Sequence, residues 1–244
     1  MKRYLAGSLL LLISLNAAAT EEDMLILSKP VSAEKQQSMT PKQALMRLKE
    51  GNQRFLSNRM QQRDFLAQAK RSSYGQYPWV VILNCMDSRS VPELVFDQGL
   101  ADLFVLRVAG NVVNEDIIGS MEFATKAVGT PLIVVLGHSS CGAVAGACGD
   151  VKLGHLNHVL DKIKPAVEPA KKTTGLNDCS EHKLVDAIAK NNALNMVRQI
   201  QQQSPIIRDL IAQGKVGIVA GMHDLKTGQV TFFEEERLLP NKKN

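Results

Sequence analysis

Two short polar segments, each placed after an apolar run, hold the residue types best suited to chemistry. Residues 85–89 are Cys-Met-Asp-Ser-Arg, and residues 138–141 are His-Ser-Ser-Cys. Two thiolates and an imidazole are typical donors for Zn²⁺, and a set of only three protein ligands is typical of catalytic zinc, because the fourth position stays open. The spacing therefore predicts one zinc ion per chain, bound by Cys85, His138 and Cys141.

The elements that must bring these segments together are predicted to be buried parallel strands. Short continuous apolar runs indicate strands buried on both faces, and four occur, at 79–83, 103–106, 132–136 and 216–220. A helical stripe over 114–128 joins the second run to the third, which favours parallel pairing through a right-handed crossover. Ligands of open parallel sheets bind beyond the carboxyl ends of the strands, so Cys85 and His138 are expected to approach each other there.

The predicted fold is therefore α/β. It consists of an open, mostly parallel four-stranded sheet with an antiparallel edge strand over 230–233, flanked by helices and preceded by an N-terminal helical arm. The arm comprises helices over 40–56 and 64–71, the first capped by Thr40-Pro41. A long helical region over 181–213 is interrupted by Pro205.

The start of the chain has the pattern of a secretory signal peptide. Lys2 and Arg3 precede an apolar run over 5–15, and three alanines follow at 17–19. The run is about half of the roughly 20 residues that a membrane-spanning helix needs. We predict a signal peptide over 1–19, a flexible linker over 20–39 and a single domain over 40–244. The protein is thus expected to be periplasmic or secreted, with no membrane anchor after cleavage.

The two motifs resemble those of the β-class carbonic anhydrases. Cys-x-Asp-x-Arg after one strand and His-x-x-Cys-Gly after a later one carry the resemblance, which covers most of the mature chain. It implies a zinc enzyme that reversibly hydrates carbon dioxide to bicarbonate and a proton. The residues to which it gives roles are the zinc ligands Cys85, His138 and Cys141, the paired Asp87 and Arg89, and Gln76 and Phe104 in the substrate pocket.

The chemistry of the paired residues agrees with this implied function. Zinc lowers the pKa of bound water, but two thiolates and an imidazole reduce that effect by cancelling the metal's charge. Asp87, held by Arg89, is expected to orient the resulting hydroxide towards carbon dioxide. Some family members instead close the site by moving this aspartate onto zinc, supported by an arginine that Arg107 matches and by a tryptophan. Here Ile82 stands at the tryptophan position, so we expect the open site.

Three other functions are compatible with parts of the sequence. The same site suits hydrolysis of carbon disulfide or carbonyl sulfide, and a zinc-stabilised binding protein without turnover would need only the ligands. A thiol–disulfide oxidoreductase is suggested by exported cysteines, but no Cys-x-x-Cys pair is present. Taken singly, a buried cysteine or a loop ion pair has a plainer structural interpretation, and the combination of motifs favours the zinc enzyme.

Cysteines and histidines outside the motifs have weaker signals. Cys148 and Cys179 are expected to be free thiols rather than one disulfide, although the sequence does not give their distance. His223 follows the fourth apolar run, where it is the one further histidine placed to face the cleft as a proton relay. The remaining histidines lie in polar stretches and are interpreted as surface residues: His155, His158 and His182.

Composition sets the broad class. The 244 residues are 45% hydrophobic and 22% charged, which fits one globular domain and excludes intrinsic disorder. The formal net charge is +5, yet the basic residues form no long run and aromatic residues make up only 5%, so no nucleic-acid partner is predicted. The family resemblance implies a homodimer or homotetramer, in which the helices over 40–71 reach across to a neighbouring chain.

Overall fold

A single five-stranded sheet organises residues 29–233, the part of the chain that the computed structural model describes. The strands are β1 (Val80–Asn84), β2 (Leu103–Arg107), β3 (Leu132–His138), β4 (Gly217–His223) and β5 (Val230–Phe233). Their order across the sheet is β2-β1-β3-β4-β5, with every pair parallel except β4 and β5. The predicted fold class is confirmed, including the antiparallel edge strand. The predicted signal peptide lies outside the described residues.

Ten α-helices of the described residues precede the first strand or connect the strands. They are α1 (Ala33–Ser38), α2 (Pro41–Leu56), α3 (Phe65–Ser72), α4 (Pro92–Val95), α5 (Glu115–Glu122), α6 (Gly142–Cys148), α7 (Leu156–Ile163), α8 (Val167–Thr174), α9 (His182–Gln203) and α10 (Pro205–Ala212). A π-helical segment, Phe123–Ala127, continues α5, so the helix predicted over 114–128 has two parts. Pro205 begins α10, where its missing N–H breaks no helical bond. Within residues 29–233, no helix has the length and apolar character needed to cross a bilayer.

Alternation of side chains along the strands produces two cores, one on each face of the sheet. Even-numbered residues of β1 and β3 pack under α2, together with Trp79 and Phe96. Odd-numbered residues of the same strands pack against a second layer that includes Met121, Leu184 and Ile188. Side chains of a strand point alternately to opposite faces, so a continuous apolar run is what a sheet covered on both sides requires.

The first arm helix, α2, packs on its own chain. Asn52 Nδ2 donates to the carbonyls of Val95 and Gly228, each at 3.0 Å, and Asn52 Oδ1 accepts from the N–H of Val230 at 3.0 Å. A Cβ on Gly51 would lie 1.8 Å from the carbonyl oxygen of Phe96, so only glycine allows this approach. The apolar face of α2 is thus covered within its own chain, whereas the family resemblance implied that the helices over 40–71 reach across to a neighbouring one. Phe65 and Leu66 at the start of α3 are 51% and 65% exposed.

The end of the predicted linker is a helix rather than a flexible segment. Ser32 caps α1 by accepting from the N–H of Lys35, and Gln36 is buried with its Nε2 donating to the carbonyl of Pro78 at 2.8 Å. The helix could not be predicted from an apolar pattern, because its one buried side chain, Gln36, is polar. The rest of the predicted linker, up to residue 28, lies outside the described residues.

Cys148 and Cys179 form a disulfide, with their Cα atoms 5.7 Å apart. The expectation of free thiols is wrong. The two cysteines are 31 positions apart, and the segment between them contains α7 and α8, which return the chain to the end of α6. The meeting of the two cysteines depends on how these helices pack, and no local sequence pattern indicates it.

Candidate metal centre

The loop after β1 carries Cys85 and Asp87, and hydrogen bonds between Asn84 and Ser90 close it at both ends. Asn84 Nδ2 donates to the carbonyl of Ser90 at 2.7 Å, and Ser90 Oγ donates to Asn84 Oδ1 at 3.2 Å. The N–H of Ser90 also donates to the carbonyl of Asp87 at 3.1 Å. Asn84 and Ser90 are fully buried, so the loop leaves the sheet in a fixed direction.

His138 ends β3, directly beside this loop. Its Nδ1 lies 2.9 Å from the carbonyl oxygen of Ser139. A carbonyl only accepts, so Nδ1 carries the proton and Nε2 presents a free lone pair. Nε2 is buried and has no hydrogen-bond partner among the described residues. Ser140 then takes a left-handed conformation, φ 53°, which turns the chain towards Cys141 at the start of α6.

The sulfur atoms of Cys85 and Cys141 and a ring nitrogen of His138 converge on one point. The two sulfurs are 4.0 Å apart, all three donor atoms lie within 4.8 Å of one another, and all three residues are buried. Tetrahedral zinc with Zn–S bonds of about 2.3 Å places two sulfurs about 3.8 Å apart. The donor set and its spacing fit zinc, and the unpartnered Nε2 is the atom that a metal ion would satisfy.

The two thiols differ in their readiness to ionise. The hydrogen bond from Cys141 lowers the pKa of Cys85 well below its ordinary value, against the opposing effect of burial. The same contact and burial raise the pKa of Cys141. The N–H of Gly110 donates to Cys85 Sγ at 3.4 Å, a further contact that favours the thiolate. Since a metal binds thiolates, the N–H of Gly110 favours the form of Cys85 that can act as a ligand.

Asp87 and Arg89 form a bidentate ion pair at the edge of this centre. Arg89 Nε lies 3.0 Å from Asp87 Oδ1, and Arg89 Nη2 lies 2.8 Å from Asp87 Oδ2. The side-chain hydrogen bonds of Arg89 hold the pKa of Asp87 far below its usual range. Asp87 Oδ2 is also 3.9 Å from His138 Nε2. The carboxylate is therefore ionised and lies next to the metal position.

Arg107 supports the ligand loop from the adjacent strand. Its Nε donates to the carbonyl of Cys85 at 3.3 Å, and its Nη2 donates to the carbonyls of Met86 and Asp87 at 3.1 and 2.6 Å. The family resemblance gave Arg107 only the role of the arginine of a closed site, and this contact was not predicted. Its position at the end of β2, opposite Asn84, is the signal that could have indicated it. Ile82, at the tryptophan position, is fully buried in the core under α2.

His223 lies inside the protein rather than at the surface of the cleft. It is 2% exposed, and its Nδ1 is 3.1 Å from Ser90 Oγ. Burial lowers the pKa of His223, and charge on the nearby His138 acts in the same direction. These surroundings suit a neutral side chain that braces the loop after β1, and they separate His223 from the solvent with which a proton relay exchanges.

The two predicted pocket residues lie away from the metal ligands within one chain. Gln76 precedes β1, whereas Cys85 follows it, and a five-residue strand spans about 16 Å. Phe104 is opposite Val81, four residues or about 13 Å along the strand from Cys85. Phe104 and the 58% exposed Phe123 pack edge to face and line an open cavity of about 520 Å³ at the edge of the sheet.

Comparisons with known proteins agree with this architecture. Residues 80–230 match the family model described as carbonic anhydrase. The chain is 36% identical to carbonic anhydrase 2 of Mycobacterium tuberculosis over 198 residues, which is 79% of this chain and 92% of that protein. It is 35% identical to a carbonic anhydrase of Mycolicibacterium smegmatis, over 78% of this chain and 92% of the relative.

Solved structures show the same fold. One of two tetrameric β-carbonic anhydrases from Sordaria macrospora is 26% identical with a TM-score of 0.61, over 68% of this chain and 85% of that one. The β-carbonic anhydrase CcaA has a TM-score of 0.65 at 24% identity, over 81% of this chain and 99% of that chain, and shows likeness of fold alone.

Proposed function

This chain belongs to the β-class carbonic anhydrase family, and we propose that it reversibly hydrates carbon dioxide to bicarbonate and a proton. One observation carries the proposal. The buried Cys85, His138 and Cys141 donors converge, and an ionised Asp87 held by Arg89 lies next to them. A metal ion bound by these three donors would keep one coordination position free of protein ligands. The carboxylate beside that position would act as a hydrogen-bond acceptor.

The chain's own residues fit one zinc ion. Cys85 and Cys141 would hold it through sulfur and His138 through Nε2, the buried nitrogen that lacks a partner among the described residues. Zinc bound there would lower the pKa of a water ligand and so supply hydroxide near neutral pH. The N–H at Nδ1 of His138 donates to the carbonyl of Ser139, which keeps the ring in the tautomer that ligation needs.

Asp87 orients the nucleophile in this proposal. Its pKa is far below the usual range, so at neutral pH the carboxylate only accepts hydrogen bonds. With zinc bound, Asp87 Oδ2 would accept a hydrogen bond from the O–H of the hydroxide and would so orient its lone pair towards carbon dioxide. Arg89 keeps the carboxylate in this orientation and out of the metal's own coordination shell.

A second copy of the chain completes the substrate pocket. Gln76 and Phe104 are the residues that the family resemblance assigns to that pocket, yet β1 separates them from the metal ligands of their own chain. β2 is an edge strand, no described strand pairs with its outer side, and the exposed ring of Phe123 lies beside it. Such an edge pairs readily with another chain. We assign Gln76 and Phe104 to the pocket of the neighbouring copy in a homodimer or homotetramer.

Export to the periplasm is part of the proposal. The charged and apolar pattern of residues 1–19 supports it. The disulfide between Cys148 and Cys179 also supports it, because disulfides persist in oxidising compartments. N-terminal sequencing of the purified protein tests this: a chain that begins near Thr20 is expected, and a chain that still begins at Met1 would contradict it.

Metal analysis combined with stopped-flow kinetics tests the function. The purified protein is expected to contain about one zinc per chain and to hydrate carbon dioxide. Parallel assays with carbon disulfide and carbonyl sulfide test the alternative hydrolase on the same site. Zinc without turnover of any of these substrates would indicate a zinc-stabilised binding protein, and absence of zinc would contradict the proposed centre.

A further inference from the structure

Asn192 is an unusual side chain for the middle of the long helix α9. It is fully buried in the layer that covers the sheet. Its Nδ2 donates to the carbonyl of Gly110 at 2.8 Å, whereas its Oδ1 is buried without a partner in the described part of the chain. Burying an unpaired polar atom costs free energy that an apolar side chain would not. Within residues 29–233, the bond to Gly110 is the one interaction that requires an amide here.

Gly110 connects this amide to the metal centre. Its N–H donates to Cys85 Sγ at 3.4 Å, while its carbonyl accepts from Asn192. Both bonds depend on a left-handed backbone, φ 66°, and an added Cβ would lie 2.5 Å from Cδ1 of Ile163. The backbone of Gly110 is therefore held by a hydrogen bond at its N–H and another at its carbonyl, and the position has no room for a side chain.

A hydrogen bond from a backbone N–H to a thiolate changes the sulfur as a ligand. The donor draws electron density from the sulfur, so the thiolate gives less charge to a metal ion. Partners of the ligands tune a metal site in this way without touching the metal. In a centre with two thiolates, weaker donation from Cys85 would leave more positive charge on the ion.

We propose that Asn192 is a positioning residue, which acts through Gly110 to direct its N–H onto the Cys85 sulfur and so sets the donor strength of that ligand. The inference rests on the metal centre of the proposed function. It assigns a role in the chemistry to a side chain 107 positions away from Cys85, on an element that contributes no ligand.

The experiment compares Asn192→Ala and Asn192→Ser with a matched control, Asn52→Ala. Asn52 is also a buried asparagine of a helix, and it also bonds to distant backbone carbonyls, but none of its partners belongs to the metal centre. Each protein is stripped of metal and loaded with Co²⁺ to record the sulfur-to-cobalt charge-transfer band. Zn²⁺ affinity is measured by competition with a chromophoric chelator, and melting temperature is measured alongside.

Both Asn192 variants are expected to shift the charge-transfer band to lower energy, because a sulfur without its hydrogen bond is a stronger donor. Their Zn²⁺ affinity is expected to fall about ten-fold or more, because Cys85 is no longer held in position for the metal, and this loss outweighs the gain in donor strength. Asn52→Ala should lower the melting temperature and leave both metal readouts at wild-type values. If Asn192→Ala does not fold, the same two metal measurements are made on Asn192→Ser, which is the smaller change.

Two results would overturn the inference: a wild-type spectrum and affinity in an Asn192 variant, or the same shift in Asn52→Ala, which would show a general effect of destabilisation. Failure of the wild-type protein to bind Co²⁺ or Zn²⁺ would instead contradict the metal centre itself. The two failures are therefore distinguishable.

Discussion

The guanidinium of Arg89 holds both carboxylate oxygens of Asp87, with Nε 3.0 Å from Oδ1 and Nη2 2.8 Å from Oδ2. Two parallel charge-assisted bonds fix the plane of the carboxylate as well as its position. Asp87 Oδ2 stays 3.9 Å from His138 Nε2, close to the metal position without entering it. In the proposed function, the pair would control whether the carboxylate assists a nucleophile or replaces it.

Arg89→Ala should lower carbon dioxide hydration by at least ten-fold, the effect typical of losing a partner that orients a metal site, while zinc content stays at about one per chain. The reason is that Asp87, once released, can occupy the position open to water. Stopped-flow hydration and metal analysis check both parts. Lys152→Ala, which removes an exposed ion pair with Asp150, is the control and should change neither. A wild-type rate in Arg89→Ala would refute this role.

The hydration rate of the wild-type protein should rise with pH as a single titration between about pH 5 and pH 9. Asp87 has a strongly lowered pKa, so it is ionised throughout this range, which lies above its ordinary value of about 3.9. Any contribution of its ionised form to stability is present above that value and is lost only as the pH falls towards the lowered pKa. A steep, cooperative loss of activity below neutral pH would contradict the open site.

Cys85→Ser and Cys141→Ser should each lose most of the bound zinc, because a hydroxyl lacks the charge and softness of a thiolate. Atomic absorption on the purified variants measures the loss. The matched control is the double variant Cys148→Ser, Cys179→Ser, which removes two sulfurs outside the metal centre and should retain zinc. Full zinc content in both ligand variants would disprove the ligand assignment.

Removing the disulfide should destabilise the fold without emptying the metal centre. A bridge between residues 31 apart restricts the unfolded chain, and its loss is expected to cost about 2–4 kcal/mol of unfolding free energy. Denaturant unfolding of the Cys148→Ser, Cys179→Ser double variant measures this loss. A reducing agent should destabilise the wild-type protein and have no effect on the variant. Equal stability of the wild type and the variant without reducing agent would exclude a stabilising bridge.

Mixed oligomers test whether the pocket is shared between chains. A Cys85→Ser chain lacks a metal centre, and a Gln76→Ala chain is expected to have an impaired pocket. If Gln76 serves its neighbour, co-refolding the two chains creates one complete site per mixed dimer and raises the hydration rate above the average of the two unmixed variants. A rate equal to that average would place Gln76 in its own chain's pocket.

The sequence was sufficient where local pattern decides structure. The apolar runs 79–83 and 132–136 identified two adjacent strands, β1 and β3, so the meeting of Cys85 and His138 at their ends could be predicted. The sequence was insufficient where helix packing decides structure. The bond from Asn192 to Gly110 joins residues 82 apart, and nothing in the residues around either one indicates the partner. The same holds for the bridge of Cys148 and Cys179.

The position of β4 between β3 and β5 has a consequence for synthesis of the chain. Ile218 and Ala220 of β4 complete the core on one face of the sheet, and Val219 completes the core on the other. A nascent chain that has emerged only as far as α9 has all three metal donors but exposes one side of β3. Neither core can close until the ribosome has delivered residues 217–233, so the native sheet forms only after β4 and β5 have been synthesised.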